Sequence, residues 1–189
     1  MIKIKVSSGN NELSELLLRQ TPRGIGIWGD CQFLVNQPVD TCDWWVVCHS
    51  SGLEAQDETV CDPDHLVYIS MEPQEWSTSG FINQFSKLVI CDRLIKHPEI
   101  MYRNGLTWWV GISVDHINGH HFSRDVRFSY DDFMAMPPPI KSKKISLICS
   151  RKSVLPGHQK RLAFIDKLAL HPIGSHVDFF GGGGHPPFF

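Results

Sequence analysis

The sequence predicts an α/β fold: a Rossmann-like domain with a mainly parallel sheet, followed by one βαβ unit. Short apolar runs rich in aromatic and β-branched residues occur at 43–48, 65–70 and 87–91. They lack polar alternation, which is typical of strands buried on both faces of a parallel sheet. Helical or looping stretches separate them, as parallel connections require. The pattern then restarts after a triple proline at 137–139.

The first elements follow from periodicity. Residues 2–6 alternate between lysine and apolar side chains, which predicts a strand with one face buried. Asn10 or Asn11 is placed to cap a helix that carries the next leucines. A second strand is predicted over residues 24–34.

The remaining elements are assigned in the same way. The stretch 108–128 is rich in His, Gly and Asn and is predicted to be mostly loop. Because three consecutive prolines cannot join a sheet interior, residues 137–143 are predicted to be a linker. The domains are therefore expected at 1–136 and 144–189. Further helices are predicted at 77–85, 131–136 and 156–170, and further strands at 144–150 and 177–180.

Composition excludes several classes of protein. The net charge of -2 and the pI near 6.5 lack the basic excess of a nucleic-acid binder. No apolar run approaches the roughly 20 residues of a membrane span, and the N-terminus has no apolar signal segment. The six cysteines include Cys48, Cys91 and Cys149 in apolar runs. They form no zinc-binding pattern, so we expect free thiols and a reducing, cytoplasmic setting.

Three motif-like strings are not assigned a function. Residues 24–29 match G-x-G-x-x-G, but a dinucleotide site needs a strand before and a helix after the glycines. The glycines at 181–184 precede prolines rather than a helix that could bind phosphate. His116, His120 and His121 lack a Glu or Cys that would complete a metal site. We predict no metal and no cofactor, and interpret this histidine segment as a loop that either faces solvent or contacts an acceptor molecule.

Two segments carry residues suited to chemistry. Glu72 follows the predicted strand 65–70 and precedes Pro73, and ligands of open α/β sheets bind beyond the carboxyl ends of strands. A carboxylate there can accept a proton from a hydroxyl group; an ordinary surface glutamate is the alternative. The second segment joins the strand 144–150 to the helix 156–170 and bears Arg151, Lys152, Lys160 and Arg161. Cations beside a helix N-terminus suit a diphosphate, although ordinary surface charge explains them too.

The order of these pieces resembles the α1,3/4-fucosyltransferases, glycosyltransferase family 10. The resemblance covers residues 40–182 and rests on YISMEP, KLVICD, LTWWVG, the strand KKISLICS, Arg161-x-x-Phe164 and VDFFG. It implies a GT-B enzyme with two Rossmann-like domains, an acceptor domain here at 1–136 and the incomplete start of a donor domain at 144–189. The family's later donor-site segment is missing from the printed sequence.

The resemblance implies metal-independent, inverting transfer of fucose, or a related sugar, from a GDP-sugar to a glycan acceptor. Glu72 is then the general base, and Arg161 contacts the donor diphosphate. Ser150 corresponds to the family's serine at the end of its strand, and Arg151 and Lys152 are assigned to donor binding with it. For the acceptor sugar we predict His49, Trp108 and His120.

Two alternatives to an enzyme stay open. In the first, the chain is a carbohydrate-binding module without turnover, in which Trp44, Trp45, Trp108 or Trp109 stack on sugars. In the second, it associates with itself or with a partner through its βαβ unit.

Overall fold

The computed structural model describes residues 1–8, 13–49, 57–70, 79–103, 112–117, 121–126, 128–141 and 144–180. The chain divides into two compact units, Met1–Met136 and Pro137–Phe189. The division falls where the triple proline begins. Among the described residues, no helix is both long and apolar enough to cross a membrane.

The first unit is built on a seven-stranded sheet in the order β2-β3-β1-β4-β5-β6-β7. All neighbours are parallel except β2, which pairs antiparallel to β3 at one edge. The predicted α/β class with a mainly parallel sheet is confirmed. The strands are β1 Ile2–Ser8, β2 Ile27–Trp28, β3 Cys31–Val35, β4 Trp44–His49, β5 Leu66–Ser70, β6 Lys87–Ile90 and β7 Ile100–Tyr102.

Each face of this sheet carries one apolar cluster. Helix α1, Leu13–Leu18, covers one face, where Leu16 packs with Val6, Val35 and Cys48. Helix α2, Ser79–Ile82, covers the other with the residues that follow it. The cluster on that second face contains Val47, Tyr68, Ile82, Phe85, Leu88 and Ile90.

The prediction for β1 is correct about where the strand lies but wrong about its burial, because both of its faces are covered. Lys5 is completely buried, whereas Ile2 is exposed. The strand lies inside the sheet between β3 and β4, so both of its faces are covered. The lysine is tolerated because an ion pair with Asp57 accompanies its burial.

The single strand predicted at 24–34 is wrong. A 3₁₀ turn at Pro22–Gly24 precedes a hairpin of β2 and β3. Gly26 and Gly29 take φ of 74° and 59°, a left-handed conformation that glycine adopts without steric cost. The glycines therefore shape the turns of a hairpin, and not the strand-to-helix turn on which a dinucleotide motif depends.

The predicted loop at 108–128 is also wrong in large part. Strands β8, Ile112–Ile117, and β9, His121–Val126, form an antiparallel pair in register from Ile112↔Val126 to Ile117↔His121. The helix expected at 131–136 is confirmed as α3, Tyr130–Ala135. Ser129 begins it, since Asp132 N–H donates to Ser129 Oγ and Ser129 N–H donates to Asp132 Oδ2.

The second unit is a βαβ unit, as the sequence predicts. Strands β10, Ile145–Ile148, and β11, Val177–Phe180, are parallel and adjacent, and α4, Pro156–Leu170, connects them. Ile165 of α4 and Val177 of β11 are the buried hydrophobic side chains among the described residues of this unit.

Candidate functional site

The candidate site of the first unit is the edge where β1, β4 and β5 end. The next parallel strand in the chain, β3, lies on one side of β1, and β4 lies on the other. Such a reversal opens a crevice at the carboxyl ends of the strands. In register, Ser8 is opposite Cys48 and His49 is opposite Ser70. The backbone thus brings the ends Ser8, His49 and Ser70 to one edge.

Asn36 organises the polar groups at this edge. Its Oδ1 accepts from Ser8 N–H at 2.8 Å, and its Nδ2 donates to Ser8 Oγ at 2.9 Å and Ser14 Oγ at 3.1 Å. Its backbone N–H donates to Val6 O. The residue has φ of 49°, a conformation that asparagine tolerates better than most residues. One side chain therefore ties the ends of β1 and β3 to the start of α1.

Sequence reasoning missed this cluster. Asn36 directly follows an apolar strand and stands two residues before Pro38, which is a turn signal. The turn is readable from the sequence, but the partners Ser8 and Ser14 are not, because tertiary pairing brings them together.

The residues predicted for acceptor chemistry fall mostly outside the described part of the chain. Glu72, Trp108 and His120 lie there. The strand expected before Glu72 is present and parallel to its neighbours, and its last residue, Ser70, is buried. His49 is the last residue of β4. Its backbone therefore lies at the candidate edge.

A buried polar cluster lies on the sheet face of α2. Lys5 Nζ is 2.7 Å from Asp57 Oδ1 and also donates to Glu58 O. Ser7 Oγ donates to Asp57 Oδ2 at 2.6 Å and accepts from Trp45 Nε1 at 2.8 Å. Burial disfavours the charge on Asp57, but the hydrogen bonds from Lys5 and Ser7, with the charge of Lys5, outweigh it and lower the carboxyl pKa.

The role of this cluster is structural rather than catalytic. Ser7 is buried and already both donates and accepts, so it is not poised as a nucleophile. Asp57 lies in the connection between β4 and β5. Its bonds to Lys5 and Ser7 hold that connection against β1.

Trp44 and Trp45, two of the tryptophans considered for sugar stacking, both contact protein groups. The Trp44 ring stacks on His65 with centroids 4.1 Å apart, and Lys87 Nζ lies 5.8 Å from its centroid. Lys5 Nζ lies 5.4 Å from the centroid of the Trp45 ring. These contacts give both rings a packing role, whereas Trp108 and Trp109 lie outside the described residues.

The candidate donor site is the loop between β10 and α4. Arg161 Nη2 donates to the backbone oxygens of Ser150, at 3.3 Å, and Lys152, at 3.4 Å. Arg161 therefore reaches back from the second turn of α4 to its own loop. A guanidinium has five N–H donors, and these two contacts use one nitrogen. The predicted residues Ser150, Lys152 and Arg161 are thus neighbours.

Arg151 adds an unsatisfied group to this loop. Its Nε is buried and has no hydrogen-bond partner within the part of the chain that the structure describes. The sequence from 141 to 165 contains seven Lys or Arg residues and no Asp or Glu. A buried guanidinium nitrogen without a partner is costly, and an anion is its natural complement.

The described residues contain no group of three or more His, Cys, Asp and Glu side chains placed to hold a metal ion. The six cysteines are free thiols. Burial raises the pKa of Cys48 to about 12, so this thiol stays protonated. These observations assign no redox or metal chemistry to the cysteines.

Comparisons with protein-family models, with curated proteins and with solved structures found no match to this chain.

Proposed function

We propose that this chain contributes to an inverting glycosyltransferase of the fucosyltransferase type. In this proposal the enzyme transfers fucose, or a related sugar, from a GDP-sugar to a glycan acceptor without a metal. The first unit takes the acceptor, and the βαβ unit provides part of the donor site. The observation that carries the proposal is the buried, unpaired Nε of Arg151 in the described β10–α4 loop.

That loop has the properties of a diphosphate site. Lys152 is exposed and Arg161 bonds to the loop backbone. The 15-residue helix α4 begins directly after it, and a helix N-terminus carries partial positive charge. The cations of the loop and the dipole of α4 therefore both attract an anion at this position. The departing diphosphate of a nucleotide sugar is a substrate group that needs such stabilisation.

The acceptor side is supported by the carboxyl edge of the seven-stranded sheet. Ser8, Asn36 and Ser14 form a hydrogen-bonded polar group at the crevice between β1 and β4. Hydroxyl and amide groups suit a sugar, which offers and accepts hydrogen bonds. Glu72 follows the end of β5 by two residues in the chain.

The proposed reaction uses one proton transfer and one displacement. The Glu72 carboxylate accepts the proton of an acceptor hydroxyl, and that oxygen forms a bond to the anomeric carbon of the donor sugar. The bond between this carbon and the diphosphate oxygen breaks, and GDP leaves with the electron pair. Arg151, Lys152 and Arg161 offset the charge that develops on GDP.

Calorimetric titration with GDP, and with UDP and CMP as controls, tests the donor site. We expect selective GDP binding, and at least tenfold weaker binding in Arg151→Met, because a hydrogen bond to a charged group contributes about 1.5–3 kcal/mol. Lys167→Met, near the other end of α4, is the matched control and should bind as wild type. No binding of any nucleotide would overturn the donor assignment of this chain. The role of Glu72 is tested separately, since Glu72→Gln should abolish sugar transfer and leave GDP affinity unchanged.

A second candidate function, self-association through the βαβ unit, is favoured by its exposed apolar side chains. Ile148 of β10 is 83% exposed, and Phe164 of α4 is exposed as well. Light scattering of wild type and Phe164→Lys tests it. A concentration-dependent dimer that this substitution removes would support the function, and a strictly monomeric wild type would contradict it.

A further inference from the structure

A cavity of about 370 Å³ lies on the α1 face of the seven-stranded sheet. The sheet contributes Ile4, Val46, Cys48 and Ile69 to its wall, and Leu17 of α1 and Trp28 of β2 line it too. Trp28 is 51% exposed, so the cavity opens to solvent beside this ring. The residues that line it belong to the first unit, and the cavity does not depend on the proposed sugar transfer.

The lining leaves no role for a charged ligand. Among the residues that the structure describes, no carboxylate, ammonium, guanidinium or imidazole group lines the cavity. The Cys48 thiol is neutral, because burial raises its pKa to about 12. The lining hydroxyl of Thr21 already donates to Leu18 O at 2.6 Å and accepts from Gly26 N–H at 2.8 Å. The other polar lining side chain, Gln20, is uncharged, so a charge placed here would lose hydration without meeting an opposite charge.

The rim of the cavity is held in place by contacts outside it. The Trp28 ring packs edge-on against Tyr130, with centroids 4.8 Å apart. Tyr130 N–H donates to Arg19 O, and Arg23 N–H donates to Asp131 Oδ2 at 2.7 Å. These bonds fix α3 to the turn that precedes β2. A rim fixed in this way costs little ordering when a ligand enters.

The wall next to the rim is tightly packed. A Cβ at Gly26 would come within 2.7 Å of Leu18 Cδ2 and 2.8 Å of Phe33 O. Close packing therefore surrounds Gly26, whose N–H donates to the lining hydroxyl of Thr21.

We propose that this cavity is a binding site for an uncharged apolar molecule. An apolar cavity of about 150 Å³ holds one benzene ring, and ligand pockets of roughly 300–1,000 Å³ take small organic molecules. A volume of about 370 Å³ fits two fused rings or an alkyl chain of about eight to ten carbons on that scale. The half-exposed Trp28 would cover one side of the bound molecule.

The test compares two ligands of the same chain length, one with a neutral hydroxyl head group and one with a charged carboxylate. The whole chain, labelled with ¹³C at isoleucine and valine methyl groups, is titrated with 1-octanol and with octanoate. We expect 1-octanol to shift the methyl resonances of Ile4, Val46 and Ile69, and octanoate to bind at least tenfold more weakly. Equal binding of the two ligands, or no shift with 1-octanol, would overturn the proposal.

Two variants locate the binding. Val46→Phe fills the cavity and should weaken 1-octanol binding at least tenfold, with a melting temperature no lower than that of wild type if the ring occupies the empty volume. Val89→Phe makes the same change on the same sheet face, where Val89 is opposite Ile69 in register but does not line the cavity. It should bind as wild type does. If Val46→Phe stays folded and binds 1-octanol unchanged, the site lies elsewhere and the proposal is wrong.

Discussion

The buried Lys5 shows how an ion pair accommodates a lysine inside a sheet. Its side chain has 0% relative exposure, and that of its partner Asp57 has 35%. Asp57→Asn would leave an ammonium group in the interior with a weaker acceptor. Removing one member of a fully buried pair costs about 3–5 kcal/mol, so for this half-exposed partner we expect roughly 2–3 kcal/mol. Chemical denaturation measures it, and Asp30→Asn, at an exposed position, should change stability by less than about 0.5 kcal/mol.

The same pair predicts an acid dependence. The folded pKa of Asp57 is lowered, whereas an unfolded aspartate titrates near 3.9. The stabilisation is therefore fully present above about pH 5 and is lost as pH falls through the folded pKa. The stability difference between wild type and Asp57→Asn should be constant at neutral pH and shrink below about pH 4. A difference that grows on acidification would show that the pair does not set this dependence.

Asn36 combines backbone strain with hydrogen bonding. Asn36→Ala removes its bonds to Ser8 and Ser14 and keeps the φ of 49°, so we expect a loss of about 2–3 kcal/mol. Asn36→Gly also loses the bonds but adopts this φ freely, and should be about 1 kcal/mol less destabilised. Denaturation midpoints of the two variants compare them. Equal stabilities would mean that the left-handed backbone contributes nothing.

At the scale of elements, strands and helices with one clear period were predictable. Strands β4, β5 and β6 each contain an uninterrupted apolar run, at 44–48, 66–69 and 88–90, and α4 has Pro156 in its first turn and Ile165 on its buried side. The β2–β3 hairpin is hard to predict, because its glycines lie within a single largely apolar stretch. In β8, Ile112 and Val114 alternate with polar residues, but the Gly and Asn content around the strand favours a loop.

In the turn after α4, replacing Gly174 with any residue that has a Cβ would cause a steric clash with the backbone. A Cβ at Gly174 would lie 2.6 Å from Leu168 O and 2.8 Å from Ala169 O. Both are backbone atoms, so Gly174→Ala should destabilise the second unit by about 1–3 kcal/mol. A Cβ at Gly157, in the first turn of α4, meets nothing within 4 Å, and Gly157→Ala should stabilise by about 0.4–1 kcal/mol. Hydrogen exchange of α4 amides measures both, and equal effects would contradict the steric argument.

At the scale of the whole molecule, the sequence located the sheet edge but not the groups that form it. The carboxyl ends of β4 and β5 were predictable because each strand is one apolar run with a clear stop. The polar partners Ser8 and Asn36 meet there through the β3-β1-β4 order, which local patterns do not encode. The cavity lined by Cys48 was not foreseen for the same reason. It depends on how far the six-residue α1 reaches across the sheet.

The two units differ in how much apolar surface each encloses. The first holds a cluster on each sheet face, whereas the described part of the second buries Ile165 and Val177. Since burial of apolar area is the main stabilising term, we expect the second unit to unfold at lower denaturant. Cys48, on the α1 face of β4, and Cys149, whose N–H bonds to Phe180 O, report on one unit each. Alkylation rates, normalised to those of the fully unfolded chain, should show Cys149 losing protection while Cys48 remains protected. Loss of protection at a single denaturant concentration would mean that the two units unfold as one.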